Sequence, residues 1–275
     1  MNDKVYIVST PIGNLEDMTF RAVKVLKEVD VILCEDTRHS IKLLNHFEIK
    51  NKLISYHKFN EKERIDYILS LINEEKKIAL ISDAGTPLIS DPGSILVKEL
   101  IENNIKFTVV PGANALLPAL ILSGFNSEEF LFIGFLQKKY NKKEEKLKTL
   151  KDLDKTLIFY SSPYELKDLL KAINNVLGNR KVAISKEITK IHETTYRDEV
   201  INLIDIFENE ENIKGEFVVV VEGNKEEKKN LSMEETKEIF QKRVESGENP
   251  KDIIKNLAKE NNLNKRELYN FLMKK

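Results

Sequence analysis

Over the first 123 residues, short apolar runs alternate with longer stretches whose apolar residues recur at helical spacing. Runs such as KIALIS and FTVV are apolar on both faces, which is typical of strands covered by helices on both sides. Repeated βα units of this kind predict a parallel sheet. The predicted strands are residues 4–9, 31–34, 52–56, 77–82 and 106–110. The predicted helices are residues 18–28, 41–47, 61–75 and 94–103, with a fifth after residue 112.

After Gly124 the pattern changes. Residues 137–155 hold eight lysines against four acidic residues and predict a basic loop or helix between two lobes. Beyond them, a helix is predicted after Pro163 and strands at residues 156–160, 181–185, 194–200 and 216–222. Because the last two strands are joined by too little helix for a parallel crossover, the second sheet is predicted to be mixed. The prediction is therefore an α/β fold with lobes at residues 1–123 and 124–223.

The C-terminal segment, residues 224–275, begins with a charged linker and continues as three predicted short helices. Ala258, Leu263 and Leu268 fall at helix-turn-helix spacing, and Asn262 can take the left-handed turn position. Residues 251–275 hold seven basic and three acidic residues. This excess favours contact with RNA phosphates, with Lys265 and Arg266 as the candidate residues. The alternative is a helical cap with a solvated face.

Composition limits the classes of protein to which the chain can belong. The chain of 275 residues is 41% hydrophobic and 32% charged, which suits one large core or two ordinary ones. No run approaches the roughly 18 apolar residues that span a bilayer, and the start MNDKVYIVST does not resemble a signal peptide. The single cysteine, Cys34, lies in an apolar run and predicts a buried thiol in a reducing compartment. We therefore expect a soluble, cytoplasmic protein whose net charge of −1 restricts any RNA attraction to local patches.

Three loops that follow predicted strands combine proline with glycine. They read STPIGNL at residues 9–15, DAGTPLISDPG at 83–93 and PGANA at 111–115. Ligands of parallel sheets bind beyond the carboxyl ends of the strands, and glycine lets the backbone approach a ligand closely. Any one of these loops could be a tight turn and nothing more. Three of them at one edge of a sheet predict a binding site.

The absence of other motifs argues against several classes of ligand. No G-x-x-x-x-G-K-[ST] and no G-x-G-x-x-G after a strand is present, which argues against a P-loop and an ordinary dinucleotide site. The four histidines do not combine with Cys34 or with each other at metal-ligand spacing. No metal site is predicted.

Several stretches resemble, in order and spacing, the ribosomal RNA small subunit methyltransferase I family, which belongs to the tetrapyrrole-methylase-like group. These stretches are VSTPIGNLEDMTFRA, CEDTRH, SYHKFNE, ISDAGTPLISDPG, VPGANA, SSPYEL, SKEITKIHET and KGEFVVVVEG. The resemblance covers essentially the whole chain. It implies S-adenosylmethionine bound between two α/β lobes, 2′-O-methylation of a cytidine in the decoding region of 16S rRNA, and a homodimer. Lys186 stands where an arginine is expected, which keeps the charge but loses a bidentate contact.

The resemblance also implies which residues contact the cofactor. S-adenosylmethionine carries a carboxylate, an ammonium, a sulfonium and a flat adenine, so backbone donors, a carboxylate and an apolar slot suit it. Asp83 is the residue most expected to meet a positive charge, although a helix-cap aspartate would look the same in sequence. The implied contacts are Pro11, Asp83, Ala84, Gly85, Asn114 and Ala115 from the first lobe and Tyr160, Lys186 and Glu216 from the second.

The acceptor side leaves alternatives open. Glu35, Asp36 and His57 follow the second and third strands beside the same cleft, so they are the candidate proton acceptors. A dedicated base is not required in principle, since proximity alone can contribute about 7 to 11 kcal/mol. The competing interpretation is that residues 35–37 cap the next helix. The candidate phosphate contacts are Arg38, Lys186, Lys138, Lys139, Lys142 and Lys143.

Two other functions remain open at this point. One is a related methylase that acts on a tetrapyrrole or on a modified protein side chain, since it would share the cofactor loops. The other is a ribosome-assembly factor that binds RNA without catalysis. The basic segment and the C-terminal helices argue against a small planar substrate, and the intact cofactor loops argue against a non-catalytic protein.

Overall fold

The computed structural model describes residues 4–210, 212–225, 233–260 and 263–273. The chain forms two compact units, Met1–Asn224 and Lys225–Lys275. The first unit contains two five-stranded sheets, and the described part of the second unit is helical.

The N-terminal sheet is parallel throughout, as predicted. Its order is β3-β2-β4-β1-β5, with β1 at Val5–Val8, β2 at Val31–Cys34, β3 at Lys52–Ser55, β4 at Ile78–Leu80 and β5 at Phe107–Val110. Helices α1 (Phe20–Glu28), α2 (Thr37–His46), α3 (Glu61–Asn73), α4 (Ser94–Glu102) and α5 (Leu116–Ser123) follow the strands in turn, with a 3₁₀ turn at Leu15–Asp17. All five predicted βα units are therefore present.

Successive residues of β1 enter different cores, because side chains alternate across a strand. Val5 and Ile7 pack with helices α3 and α4 on one face of the sheet. Tyr6 and Val8 pack with α1 and α2 on the other face. This double burial explains why the strands are continuous apolar runs. Cys34 is fully buried, which confirms its predicted burial.

The second sheet is mixed and has the order β6-β7-β10-β8-β9. Strand β6 runs parallel to β7, whereas the β7–β10, β10–β8 and β8–β9 pairs are antiparallel. The elements are β6 (Phe130–Phe135), α6 (Tyr140–Lys148), β7 (Thr156–Ser161), α7 (Leu166–Leu177), β8 (Lys181–Lys186), β9 (Thr194–Glu199), α8 (Val200–Glu208) and β10 (Phe217–Val221). The predicted mixed sheet is confirmed.

Three details of the second sheet differ from the prediction. Strand β6 and helix α8 were not predicted, and α8 supplies the helix that the sequence was expected to lack between the last two strands. The basic segment does not connect the two sheets. Instead α6 joins β6 to β7 within the second sheet, with Lys143 and Leu147 buried. Because the segment is rich in lysine, its sequence pattern does not show that Lys143 and Leu147 are buried.

The C-terminal unit has helices α9 (Met233–Glu245), α10 (Pro250–Glu260) and α11 (Lys265–Met273), so the three predicted helices are present. Ala258 and Leu268 lie in its small core with Leu263 packed beside them. Asn262 lies outside the described residues. Within the described ranges, no helix combines the length and the apolar character needed to cross a membrane.

Candidate functional site

A cavity of about 400 Å³ lies between the two sheets of the first unit. One side consists of the loops that follow β1, β4 and β5, and the other consists of residues of β6, β7 and β10 and the loops beside them. The volume falls within the range of ligand pockets. The position is the one expected for a ligand of a parallel sheet, beyond the carboxyl ends of its strands.

The three proline- and glycine-containing loops are bonded to one another. Thr10 N–H donates to Gly85 O at 2.8 Å, and Gly85 N–H donates to Thr10 O at 3.0 Å. The hydroxyls of Ser9 and Thr86 lie 2.9 Å apart, and Thr86 Oγ1 donates to Ala113 O at 3.3 Å. These bonds join the first, fourth and fifth loops into one wall of the cavity.

Glycine is required in this wall for two physical reasons. Gly85 has a φ of +78°, a left-handed conformation that side chains disfavour, and a Cβ there would lie 3.3 Å from Cγ2 of Ile12. A Cβ on Gly112 would lie 3.0 Å from Cβ of Ser9. The glycines therefore allow the loops to approach one another closely.

Two apolar residues of the cavity are flanked on both sides by strained backbone. Ile89 from the first lobe and Ile188 from the second both line the cavity. The left-handed neighbours are Leu88 (φ 72°), Ser90 (φ 72°), Glu187 (φ 54°) and Thr189 (φ 70°). Such conformations cost about 1 to 3 kcal/mol each and persist where the surrounding structure enforces them. Their occurrence on both sides of one cavity makes this cavity the candidate functional site.

Most of the predicted cofactor contacts meet in this cavity. The predicted contacts that line it are Asp83, Ala84, Gly85, Asn114, Ala115, Tyr160 and Glu216. Pro11 lies outside the lining, although its neighbour Ile12 belongs to it. Lys186 also lies outside the lining. Its Nζ is 3.7 Å from Glu210 and 5.8 Å from the centre of the Phe217 ring.

The sequence prediction missed several residues of the lining. They include Asp91, Phe135, Ser161, Ser162, Pro163 and Phe217. Asp91 and Ser161–Pro163 stand inside the stretches DAGTPLISDPG and SSPYEL, so those motifs carried a usable signal. Phe135 belongs to the strand that was not predicted.

Carboxylates cluster at one end of the cavity. Burial, together with the negative charges of Glu35 and Asp83, raises the pKa of Asp91 to about 6, while the Ser82 hydroxyl opposes the shift. Burial, followed by the negative charge of Asp83, also raises the pKa of Glu35, whereas the interaction with His57 lowers it. Residues from the ends of β2, β3 and β4 therefore interact electrostatically here.

Tyr160 forms the opposite wall of this region. Its ring packs edge-on against Phe132 at 4.9 Å and Phe135 at 5.5 Å between ring centres. Burial, followed by the charge of Asp91, raises the pKa of Tyr160 to about 12. The phenol is therefore neutral near pH 7, and Tyr160 and Asp91 line the cavity from different lobes.

The three candidate proton acceptors have different environments. Asp36 caps α2 by accepting a hydrogen bond from Arg38 N–H at 2.9 Å, and it binds the Arg38 guanidinium at 2.9 Å. These bonds lower the pKa of Asp36 to about 2, which makes it a weaker base than Glu35. His57 Nδ1 is buried and has no hydrogen-bond partner in the described ranges. The capping alternative thus accounts for Asp36, while Glu35 and His57 stay beside the carboxylate cluster.

The predicted phosphate contacts are mostly on the surface. Lys138, Lys139 and Lys142 are exposed, and the Arg38 side chain is 89% exposed. The structure contradicts the predicted phosphate contact at Lys143, because the side chain is 1% exposed and its Nζ lies 2.9 Å from Glu165. It also donates to Lys138 O at 3.1 Å. Lys143 therefore stabilises the second lobe and does not belong to the basic surface.

Lys190 connects the two lobes at the edge of the cavity. Its Nζ binds Glu187 at 2.9 Å and Glu216 at 3.2 Å, both from the second lobe. A Cβ on Gly13 of the first lobe would overlap the Lys190 side chain. Glycine at position 13 thus lets this lysine pack across the interface between the lobes. In the part of the chain that the structure describes, no group of three His, Cys, Asp or Glu residues is arranged to hold a metal ion.

Together, the two sheets and the cavity between them define a two-lobed α/β protein with its candidate site at the ends of the parallel strands. A sequence profile of Tetrapyrrole (Corrin/Porphyrin) Methylases matches residues 4–204. Uroporphyrin-III-C-methyltransferase from Thermus thermophilus has a TM-score of 0.58 at 19% identity, covering 80% of this chain and 94% of that one. Diphthine synthase has a TM-score of 0.59 at 13% identity, covering 79% and 89%. These structures show a shared fold.

Curated relatives define the family more narrowly. "Ribosomal RNA small subunit methyltransferase I" of Bacillus subtilis is 42% identical over 272 residues, covering 96% of this chain and 92% of that protein. The protein with the same name from Thermotoga maritima is 46% identical over 220 residues, covering 80% of this chain and 98% of that protein. The chain belongs to the ribosomal RNA small subunit methyltransferase I family, within the tetrapyrrole methylases.

Proposed function

We propose that this protein transfers a methyl group from S-adenosylmethionine to the ribose 2′-hydroxyl of a cytidine in the decoding region of 16S rRNA. The observation that carries the proposal is the cavity between the lobes, where residues of both lobes implied as cofactor contacts come together. Family membership favours RNA over a tetrapyrrole or a protein side chain as the acceptor. The formed cavity argues against a purely non-catalytic assembly factor.

The chemistry of the lining fits S-adenosylmethionine. Asp83 and Glu216 offer negative charge to the ammonium and the sulfonium, and Ile12, Ile188 and Val218 offer an apolar wall to the adenine. The bound cofactor would supply the methyl group as an electrophile. The protein would contribute by holding the acceptor hydroxyl in line with that methyl group, which can account for a large part of the acceleration.

RNA would bind through local basic patches. Lys138, Lys139 and Lys142 form one exposed group, and Lys265 and Arg266 at the start of α11 form another in the C-terminal unit. Arg38 is a third candidate, although its guanidinium is bound to Asp36. Basic residues that neutralise phosphates release counterions, so binding of this kind weakens steeply with salt.

The length of one relative supports a division of labour between the two units. The 220 residues matched in the Thermotoga maritima protein make up 98% of it, so that protein is about as long as the first unit of this chain. Methyl transfer would therefore reside in the first unit. The C-terminal unit would add affinity for the 16S rRNA or the small ribosomal subunit in the cytoplasm.

A homodimer is part of the proposal. Helix α5 reads LLPALILS, and its Leu117 and Ile121 side chains are exposed. Val109 on the neighbouring edge strand is exposed as well. A second copy of the chain would cover these exposed apolar residues and remove them from water. Sedimentation of the purified protein tests this, and a monomer at micromolar concentration would contradict it.

The test of the function is transfer of labelled methyl groups from S-adenosylmethionine to small subunits, followed by mapping of ribose methylation. We expect one methylated cytidine in the decoding region. No transfer to naked rRNA or assembled subunits, or methylation on a base, would contradict the proposal. Replacing Lys138, Lys139 and Lys142 with alanine should flatten the log-log salt dependence of RNA binding by about one for each phosphate that these lysines neutralise.

A further inference from the structure

Asp91 occupies a fixed position at the carboxylate end of the cavity. It belongs to the loop between β4 and α4, lines the cavity, and follows Ser90 in its left-handed conformation. Two residues later, Gly93 has a φ of +131°, and a Cβ there would lie 2.8 Å from both Leu80 and Leu88. Gly93 N–H also donates to the buried Glu61 carboxylate at 2.5 Å. The backbone is therefore constrained on both sides of Asp91.

Four residues from three segments of the chain interact with the Asp91 carboxylate. Glu35 comes from the end of β2, Asp83 from the loop after β4, and Tyr160 from β7 across the cavity. The Ser82 hydroxyl, in the same loop, favours the ionised form of this carboxylate. His57 influences this group through its interaction with Glu35. None of the ion pairs found among the described residues involves Asp91, so no lysine or arginine neutralises its charge.

We propose that Asp91 accepts the proton of the acceptor hydroxyl during methyl transfer. This inference rests on the proposed function and adds a residue to it. In the step, the hydroxyl oxygen forms a bond to the methyl carbon while the bond from that carbon to sulfur breaks. The sulfonium becomes a neutral thioether, and the hydroxyl proton moves to the Asp91 carboxylate and from there to water.

The neighbouring carboxylates are less suited to this role. Asp36 is bound to Arg38 and caps a helix, so its carboxylate already accepts three hydrogen bonds. Asp83 Oδ1 accepts a hydrogen bond from Asp36 N–H at 3.2 Å. Glu35 does not line the cavity. Asp91 combines access to the cavity with a pKa of about 6, which leaves it ionised near pH 7 and makes it a stronger base than an exposed aspartate.

Asp91→Asn tests the inference, because asparagine has the same shape and lacks the basic oxygen. The readout is single-turnover methyl transfer at saturating S-adenosylmethionine and RNA. We expect the rate to fall by about 100-fold or more, since a positioned base contributes about 10² to 10⁴. Cofactor affinity, measured by calorimetry, should change by less than about threefold. Asp66→Asn, which removes an exposed carboxylate on α3, is the matched control and should leave the rate unchanged.

The pH profile separates a base from a structural residue. Measured as kcat/KM, which reports the free protein, the wild-type activity should rise with pH and level off above about 6, the pKa of Asp91, and this inflection should be absent in Asp91→Asn. A wild-type rate in Asp91→Asn, or an unchanged inflection, would overturn the inference. Loss of cofactor binding in this variant would overturn it too, by making Asp91 a cofactor contact. A wild-type protein that methylates no rRNA would instead overturn the proposed function itself.

Discussion

The two lobes contribute to the cavity by different means. The first lobe uses backbone, since its three loops are held by mutual hydrogen bonds and depend on glycine where chains approach closely. The second lobe uses side chains on regular strands, such as Tyr160 on β7 and Val218, its antiparallel partner on β10. Charge is distributed unevenly as well, because the half-buried carboxylates Asp83 and Asp91 of the cavity belong to the first lobe, whereas Glu216 of the second lobe is exposed. We therefore expect the first lobe to supply most of the polar contacts to a ligand and the second lobe to supply mainly apolar surface.

The largest effect is expected for Asp83 in the first lobe. Asp83→Ala should weaken S-adenosylmethionine binding by about 100-fold, because a half-buried carboxylate that meets a cation contributes about 1.5 to 3 kcal/mol. Calorimetry measures this directly. Asp83→Asn keeps an acceptor for Asp36 N–H and serves as the control for the loop structure. Unchanged affinity in a folded Asp83→Ala protein would remove the residue from the site.

The next effect concerns stability of the second lobe. Lys143→Ala should lower the free energy of unfolding by about 2 kcal/mol, because it leaves Glu165 without its buried partner. Lys142→Ala is the matched control on the same helix, since Lys142 is exposed and bound only to exposed Glu145. That variant should change stability by less than about 0.5 kcal/mol. Denaturant melts compare the two, and equal stability would show that Lys143 is not structural.

A smaller effect is expected for the stability of Asp91→Asn. The native protein holds the Asp91 proton more tightly than the unfolded chain, with a pKa of about 6 against 3.8. Wild-type stability therefore falls as pH rises between these values, and the loss persists at higher pH. Discounted for solvent access, the variant should be about 1 kcal/mol more stable near pH 7. Below about pH 4 the two proteins should unfold alike, and a destabilised variant near pH 7 would contradict the assigned burial.

The smallest effect is expected for Glu216, the second-lobe carboxylate of the cavity. Its side chain is 78% exposed and is bound to Lys190, so its charge is screened. Glu216→Gln should change cofactor affinity by less than about threefold. An effect as large as that of Asp83→Ala in the same calorimetric assay would break the proposed contrast between the lobes.

The contrast also explains how much could be predicted from sequence. The parallel strands and the three loops of the first lobe were predictable, because buried strands are apolar on both faces and close approaches demand glycine. Helix α2 begins at Thr37 instead of residue 41, since its first turn is polar and only the Asp36 cap marks it. In the second lobe, helix α8 has the sequence VINLIDIFE and directly follows strand β9. Its β-branched residues resemble those of a strand, so the helix was not predicted.

The remaining errors have the same physical origin. Strand β6 reads FLFIGF, lies at the edge of its sheet and is interrupted by a bulge at Gly134, so it lacks a clear two-residue alternation. The burial of Lys143 depends on Glu165, which lies on a different element. The motif DAGTPLISDPG marks the loop that holds Asp91, but the environment of its carboxylate depends on Glu35 and Tyr160, which are distant along the chain. Such tertiary contacts leave no local signal.

The most direct test of the central claim is calorimetric titration of the full chain with S-adenosylmethionine, with and without a chelator. The account predicts one binding site per chain, with the same affinity in both conditions, because the cavity offers carboxylates and apolar walls for the cofactor. Absence of binding, or binding that disappears with the chelator, would contradict it.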